Sequence, residues 1–108
     1  MEKYIKIDRI SDISDDKWTL LSQEIKKGSL IIYPTDTVYG LGAVITNEQS
    51  INNVYLAKSR SFSSPLIALL SSVDKVEEVA YVSDKNKNLL KKLAKAFWPG
   101  ALTVILKR

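Results

Sequence analysis

The amino-acid sequence predicts an α/β fold, on two observations. Short apolar segments rich in β-branched residues alternate with longer segments of helical periodicity, a pattern typical of α/β proteins. Glycine or proline follows several of these segments, where such residues end regular structure. The 108 residues suit one small domain. Because we see no repeat, low-complexity run or linker, we expect a single domain over 1–108.

Three longer helices are predicted from apolar stripes and from the residue types at their ends. The first is capped by Ser14 or Asp15, runs through Lys27 and ends at Gly28, since glycine is favoured just past a helix end. The second covers 48–57 after Asn47 and the third covers 84–97 after Ser83, with a shorter helix over 73–80. The inward-facing residues of the third are expected to be Leu89, Leu90, Leu93 and Phe97.

Strands are predicted where short apolar runs lie between turn residues. The clearest is 30–33, which we expect to be buried because it is apolar and ends at a proline. Further strands are predicted over 41–45, 66–70 and 102–106, with a weak edge strand over 4–7.

Composition excludes several kinds of chemistry. The chain has no cysteine and no histidine, so disulfides, thiol nucleophiles, imidazole bases and histidine metal sites are excluded. No apolar run approaches the roughly 20 residues that span a bilayer, and no secretory h-region is visible. We therefore expect a cytoplasmic protein without a membrane segment. The net charge of +4 is compatible with an anionic ligand but is too small to identify one.

The most informative segment follows the first predicted strand. It reads Tyr33-Pro34-Thr35-Asp36-Thr37-Val38-Tyr39-Gly40-Leu41-Gly42. Two hydroxyls and a carboxylate at a strand end can hold a small polar molecule, and the glycines allow close backbone approach or positive φ. The same residues also form ordinary turns, since proline presets φ and aspartate bonds its own backbone. Packing is the favoured role for Tyr33 and Tyr39.

A second candidate site follows the second helix. Lys58 and Arg60 stand beside a serine-rich loop that Pro65 closes. Such a pair can hold a phosphate or a carboxylate, arginine bidentately and lysine as a point charge. The alternative is that basic residues simply favour helix C-termini.

Taken together, these motifs resemble the threonylcarbamoyl-AMP synthase family, also called YrdC-like. The ten-residue string carries most of the resemblance. Gly28 precedes it, Lys58-Ser59-Arg60 and Pro65-Leu66 follow it, and 97–103 is similar to the family's Trp-Pro-Gly-x-Leu-Thr segment. The resemblance covers only the N-terminal half of the family's fold, so we expect the domain to be truncated at the C-terminus relative to the family.

The resemblance implies a YrdC-like twisted mixed sheet with flanking helices and a positively charged cleft. It implies condensation of L-threonine, bicarbonate and ATP to threonylcarbamoyl-AMP and pyrophosphate, for threonylcarbamoyladenosine (t6A) modification of tRNA. Thr37 would contact L-threonine, and Lys58, Arg60 and Ser64 would contact ATP, although the family often carries asparagine at position 64. Thr35, Asp36 and Tyr39 would support the cleft. No residue is assigned a covalent catalytic role or a metal, and Mg²⁺ would arrive on the nucleotide.

The resemblance also implies partners and leaves alternatives. A tRNA-modifying transferase would receive the product, and double-stranded RNA or tRNA could bind the cleft. A half fold would expose sheet edges and apolar surface, which favours self-association. The alternatives are a YrdC-like RNA-binding module or fragment without catalysis, and a paralogue of different specificity. An RNA-facing patch would use the lysines near the last helix, which otherwise form a solvated face: Lys85, Lys87, Lys91, Lys92 and Lys95.

Overall fold

The structure is a computed structural model that describes residues 4–108. It divides into two compact units, an N-terminal unit that ends at Pro65 and a C-terminal unit over Leu66–Arg108. Each unit is described by itself below. Within the described residues, no helix is long and apolar enough to cross a membrane.

Among its described residues, the N-terminal unit contains two α-helices, a 3₁₀ turn over Ile10–Asp12 and a two-stranded antiparallel sheet. In chain order the helices and strands are α1 (Asp15–Lys26), β1 (Ile31–Tyr33), β2 (Gly40–Gly42) and α2 (Glu48–Ala57). Both helices keep their predicted positions because capping residues mark their starts. The Ser14 side chain accepts a hydrogen bond from the Lys17 N–H, and Asn47 Oδ1 accepts one from the Ser50 N–H.

The C-terminal end of α1 is a Schellman motif closed by glycine. The Gly28 N–H donates to the Ile25 carbonyl at 3.0 Å, and the Ser29 N–H donates to the Glu24 carbonyl at 3.1 Å. These two bonds satisfy carbonyls that the helix would leave unpaired. Gly28 has φ of +109°, a conformation that favours glycine. The prediction that this helix ends at Gly28 is confirmed.

Gly28 also connects α1 to the start of α2. Its carbonyl accepts a hydrogen bond of 2.8 Å from Ser50 Oγ. Ser50 is only 2 % exposed, the most buried polar residue among those described. A side chain at position 28 would bring its Cβ within 2.8 Å of Ser50 Oγ. Glycine is therefore required here by both backbone conformation and close packing.

The sheet is a short hairpin in which Ile31 pairs with Gly42 and Tyr33 pairs with Gly40. The ring of Tyr33 covers the glycines of β2: a Cβ built on Gly40 would lie 2.7 Å from the ring. The packing role predicted for Tyr33 is confirmed. Gly28 is the only glycine of residues 4–108 with positive φ. Gly40 and Gly42 therefore make room for an aromatic ring, and the alternative that they adopt positive φ was wrong.

The C-terminal unit is built around α4 (Asp84–Phe97), with a short α3 (Val76–Val79) that continues a 3₁₀ turn over Val73–Lys75. Its buried core consists of Val76, Val82 and Leu90. The Trp98 indole N–H donates to the Leu102 carbonyl at 2.7 Å, which folds the chain back after α4. Both predicted helices of this region are confirmed, although the first is shorter and partly 3₁₀.

Two helix residues that we expected to face inward do not. Leu89 and Phe97 are each 56 % exposed, whereas Leu90 on the same helix is buried. The apolar stripe of α4 is therefore narrower than its sequence predicts, because the described unit covers only one side of it.

Several strand predictions were wrong within the described residues. The segments 4–7, 66–70 and 102–106 form no strand, and β2 covers Gly40–Gly42 rather than 41–45. Near the last segment, the Tyr81 N–H donates to the Lys107 carbonyl in an isolated bridge. A strand needs a neighbour to pair with, and these segments have none in the described structure.

The expectation of a buried first strand was also wrong. Ile32, at the centre of β1, is 71 % exposed. One face of a two-stranded hairpin remains open unless another element covers it. The mixture of helices and strands agrees with the predicted α/β class, while the YrdC-like twisted sheet stays a prediction.

Candidate functional site

The first part of the candidate site is the turn between β1 and β2. The Thr35 hydroxyl accepts a hydrogen bond of 3.2 Å from the Thr37 N–H and donates to the Val38 carbonyl. Threonine commonly closes turns in this way. Thr35 thus has a structural role in this turn.

The Thr37 hydroxyl is differently placed. Within residues 4–108 its only hydrogen-bonding neighbour is Thr35 Oγ1 at 3.5 Å. Thr37 and Asp36 are both exposed, and in the described structure the Asp36 carboxylate forms no ion pair. A hydroxyl and a carboxylate are therefore available to a ligand at this turn.

Tyr39 lies at the end of the same turn and is 75 % exposed. The packing role that we favoured for it from the sequence was therefore wrong. Tyr33 differs because it pairs with Gly40 and its ring lies on the open backbone of β2.

The second part of the candidate site is the C-terminal end of α2. This end is again a Schellman motif, with the Ser59 N–H donating to the Leu56 carbonyl at 3.1 Å and the Arg60 N–H donating to the Tyr55 carbonyl at 2.9 Å. Ser59 occupies the left-handed position with φ of +49°. The motif fixes the backbone of Lys58 on one side of the turn and that of Arg60 on the other.

The side chains of Lys58 and Arg60 are exposed. None of the ion pairs of residues 4–108 involves either cation; each joins other residues, such as Lys27 to Glu24. Two unneutralised cations on one backbone turn favour an anion. This charge pattern is the strongest functional signal in the N-terminal unit.

The loop that follows Arg60 has its own hydrogen bonds. Ser61 and Ser63 hydroxyls are 2.7 Å apart, and the Ser64 N–H donates to the Ser61 carbonyl at 3.0 Å. The Tyr55 hydroxyl donates to the Ser64 carbonyl at 2.6 Å. The ring of Tyr55 also contacts that of Phe62, with centroids 5.2 Å apart.

Sequence reasoning missed the role of Tyr55. Tyr55 is 9 % exposed, and a buried tyrosine hydroxyl needs a hydrogen-bond partner. A tyrosine on an apolar stripe, one turn before the two cations, was the signal that could have revealed it.

The structure therefore distributes the predicted site residues over two segments of the N-terminal unit. The turn carries Thr35, Asp36, Thr37 and Tyr39, and the loop after α2 carries Lys58, Arg60 and Ser64. No hydrogen bond or ion pair within residues 4–108 joins the two segments. Their assignment to one ligand stays a prediction.

The lysines near α4 divide into two kinds. Lys87 pairs with Glu77 at 3.1 Å and with Asp84 at 3.2 Å. The hydrogen bonds that the Lys87 ammonium donates to Glu77 and then to Asp84 raise the pKa of Lys87 above its ordinary value. The remaining lysines near α4 are exposed and have no acidic partner in the part of the chain described: Lys85, Lys91, Lys92 and Lys95.

The described residues include no cluster of three or more potential metal ligands.

Comparison with known proteins identifies the family. The family model Sua5_yciO_yrdC, described as "Telomere recombination", matches residues 23–108. A Methanocaldococcus jannaschii relative, whose threonylcarbamoyl-AMP synthase name is provisional, is 38% identical over 107 residues, which are 98% of this chain and 50% of the relative. No solved structure matches the chain.

Two further relatives are named threonylcarbamoyl-AMP synthase. The Pyrococcus abyssi protein is 39% identical over 82 residues, covering 76% of this chain and 23% of the relative. The Schizosaccharomyces pombe protein is 32% identical over 92 residues, covering 70% of this chain and 22% of the relative. The chain thus spans half or less of the length of each relative. With a family model matching most of its residues, the chain belongs to the Sua5/YciO/YrdC family.

Proposed function

We propose that this chain provides ATP- and L-threonine-binding groups of a threonylcarbamoyl-AMP synthase. One observation carries the proposal: Lys58 and Arg60 are exposed, unpaired within the described structure and fixed on one backbone turn. Family membership supports it, because relatives with this name match most of the chain. The reaction and its substrates belong to the whole protein, of which this chain would supply a part.

In the proposed reaction the amine of L-threonine combines with bicarbonate to give a carbamate and water. A carbamate oxygen then attacks the α-phosphorus of ATP, and the bond to the β-phosphate breaks so that pyrophosphate leaves. Negative charge develops on the phosphates during this step, and fixed cations stabilise it. Arg60 would bind phosphate oxygens bidentately and Lys58 would act as a point charge.

The turn would bind the amino acid. The Thr37 hydroxyl can donate to a carboxylate or accept from an ammonium group, and the Asp36 carboxylate can accept from an ammonium group. Thr35 would hold the turn through its own hydrogen bonds. No covalent nucleophile is required, since holding the reactants together supplies much of the catalysis in such a mechanism.

The layout of the N-terminal unit is compatible with one shared site. Ser50, near the start of α2, bonds Gly28, which lies just before β1, so α2 begins at the end of the hairpin opposite the turn. The helix also packs against β2. With 10 residues, it is about 15 Å long and can reach past a three-residue strand of about 10 Å. We propose that α2 runs along the hairpin towards the turn, which would bring Lys58 to the same side as the turn.

Calorimetry on the whole chain tests the proposal. We expect ATP with Mg²⁺ to bind, L-threonine to bind more tightly when ATP is present, and Lys58→Ala to weaken ATP binding. Lys27→Ala is the matched control, because Lys27 occupies the same capping position at the end of α1. A folded chain that binds neither ATP nor L-threonine, or equal losses in the two variants, would contradict the proposal.

An RNA-binding role is the second candidate. Four exposed lysines near α4 lack acidic partners in the described structure, and such charges can contact phosphates. Salt-sensitive binding of double-stranded RNA without any binding of L-threonine would favour this candidate.

The synthase proposal also includes a transferase partner that accepts the product and a cytoplasmic location. It further includes self-association, which has support from exposed apolar residues such as Ile32.

A further inference from the structure

The loop over 60–65 must hold its shape if Arg60 and Ser64 are to contact the same ligand. Both residues lie outside regular secondary structure, and long side chains on an unanchored loop lose entropy on binding. Contacts within the protein must therefore order this loop before a ligand binds.

Tyr55 contacts the loop at both ends. Its backbone carbonyl accepts from the Arg60 N–H at 2.9 Å, and its hydroxyl donates to the Ser64 carbonyl at 2.6 Å. The ring packs against Phe62 between these two points. A single residue of α2 therefore anchors the beginning, middle and end of the loop.

Tyr55 itself is a buried residue of α2. It is 9 % exposed and lies next to Val54, which is 3 % exposed. Its hydroxyl bonds the Ser64 backbone, which leaves the Ser64 side chain available to a ligand. A buried tyrosine thus transmits the order of α2 to an exposed loop without occupying the surface that a ligand would use.

We infer that Tyr55 is a positioning residue, whose hydroxyl holds the 60–65 loop so that Arg60 and Ser64 face one nucleotide together. The inference rests on the proposed function, since it concerns the ATP side of that site. The role differs from general packing because it depends on one hydroxyl and one backbone carbonyl.

Tyr55→Phe in the whole chain separates the hydroxyl from the ring. The variant keeps the contact with Phe62 and loses only the hydrogen bond to Ser64. We expect the Ser64 amide to exchange its hydrogen faster, because the backbone it belongs to is no longer anchored. The Arg60 amide is an internal control, since its bond to the Tyr55 carbonyl does not involve the side chain.

Ligand binding gives the second readout. We expect Tyr55→Phe to weaken ATP binding about three- to tenfold, the range for loss of one hydrogen bond, and to leave L-threonine binding measured without ATP unchanged. General destabilisation of the protein would weaken the binding of ATP and of L-threonine equally. Tyr81→Phe is the matched control, because Tyr81 is an exposed tyrosine of the C-terminal unit.

Three results would overturn the inference. Unchanged exchange at Ser64 would show that the hydroxyl does not anchor the loop. Faster exchange with unchanged ATP binding would show that the anchor does not serve the nucleotide. If the wild-type chain binds no ATP, the proposed function fails and the positioning role fails with it, while the exchange rates still report whether the hydroxyl orders the loop.

Discussion

The C-terminal ends of α1 and α2 use the same hydrogen-bond pattern for different purposes. Both are Schellman motifs, but Gly28 takes the left-handed position after α1 and Ser59 takes it after α2. The first end is packed against Ser50. The second is exposed and carries Lys58 and Arg60. One local turn can therefore either join two helices or present two charges.

The residue in the left-handed position reflects this difference. At Gly28 a side chain would contact Ser50 closely, so only glycine fits. At Ser59 the surroundings are open, and a side chain costs about 1–2 kcal/mol of backbone strain. Strained residues are often found at functional sites, and Ser59 lies between the two cations of the candidate site.

The largest expected effect comes from Gly28→Ala. The new Cβ would meet Ser50 Oγ at 2.8 Å with φ at +109°, so we expect a loss of about 3 kcal/mol in the free energy of unfolding. Urea unfolding followed by circular dichroism measures it. Ser59→Ala is the control, with an expected change of less than about 0.5 kcal/mol. Equal effects of the two substitutions would remove the distinction between the two helix ends.

Arg60→Ala tests the C-terminal end of α2, which carries Lys58 and Arg60. We expect ATP binding to weaken by about 1.5–3 kcal/mol, the usual contribution of a hydrogen bond to a charged group. Arg60→Lys should have an intermediate effect, because it keeps the charge and loses the bidentate geometry. Calorimetry measures both. If both variants bind ATP as the wild type does, the second helix end has no role in nucleotide binding.

Ser50→Ala is a milder change at the C-terminal end of α1, which packs against Ser50. It removes the 2.8 Å hydrogen bond to the Gly28 carbonyl, and we expect the free energy of unfolding to fall by about 1 kcal/mol. Ser22→Ala, at an exposed position of α1, serves as the control in the same urea titration. A loss no greater than that of the control would show that the bond between the two helices contributes little.

Ser59→Gly should have the smallest effect and the opposite sign. Glycine adopts φ of +49° without strain, while its extra freedom in the unfolded chain offsets part of the gain. We expect the free energy of unfolding to rise by up to about 1 kcal/mol, seen as a higher urea midpoint. A lower midpoint would mean that the left-handed position after α2 is not strained.

The helices illustrate what sequence can predict. Asn47 marks the start of α2 and Gly28 marks the end of α1 through bonds to residues only a few positions away, so these two helix ends lie where the sequence places them. The predicted strands mostly failed for the opposite reason. Pairing depends on distant segments, and the described residues give 66–70 and 102–106 no partner strand.

The candidate site divides in the same way. The sequence by itself determined the two cations beside a serine loop and the polar turn after β1, because these depend on residue type and short spacing. Only the tertiary structure decided that Thr35 closes the turn while Thr37 stays available, and that Tyr55 holds Ser64. Residue type cannot distinguish two hydroxyls in one turn or locate the acceptor of a buried one, since each depends on where the folded backbone brings its partner.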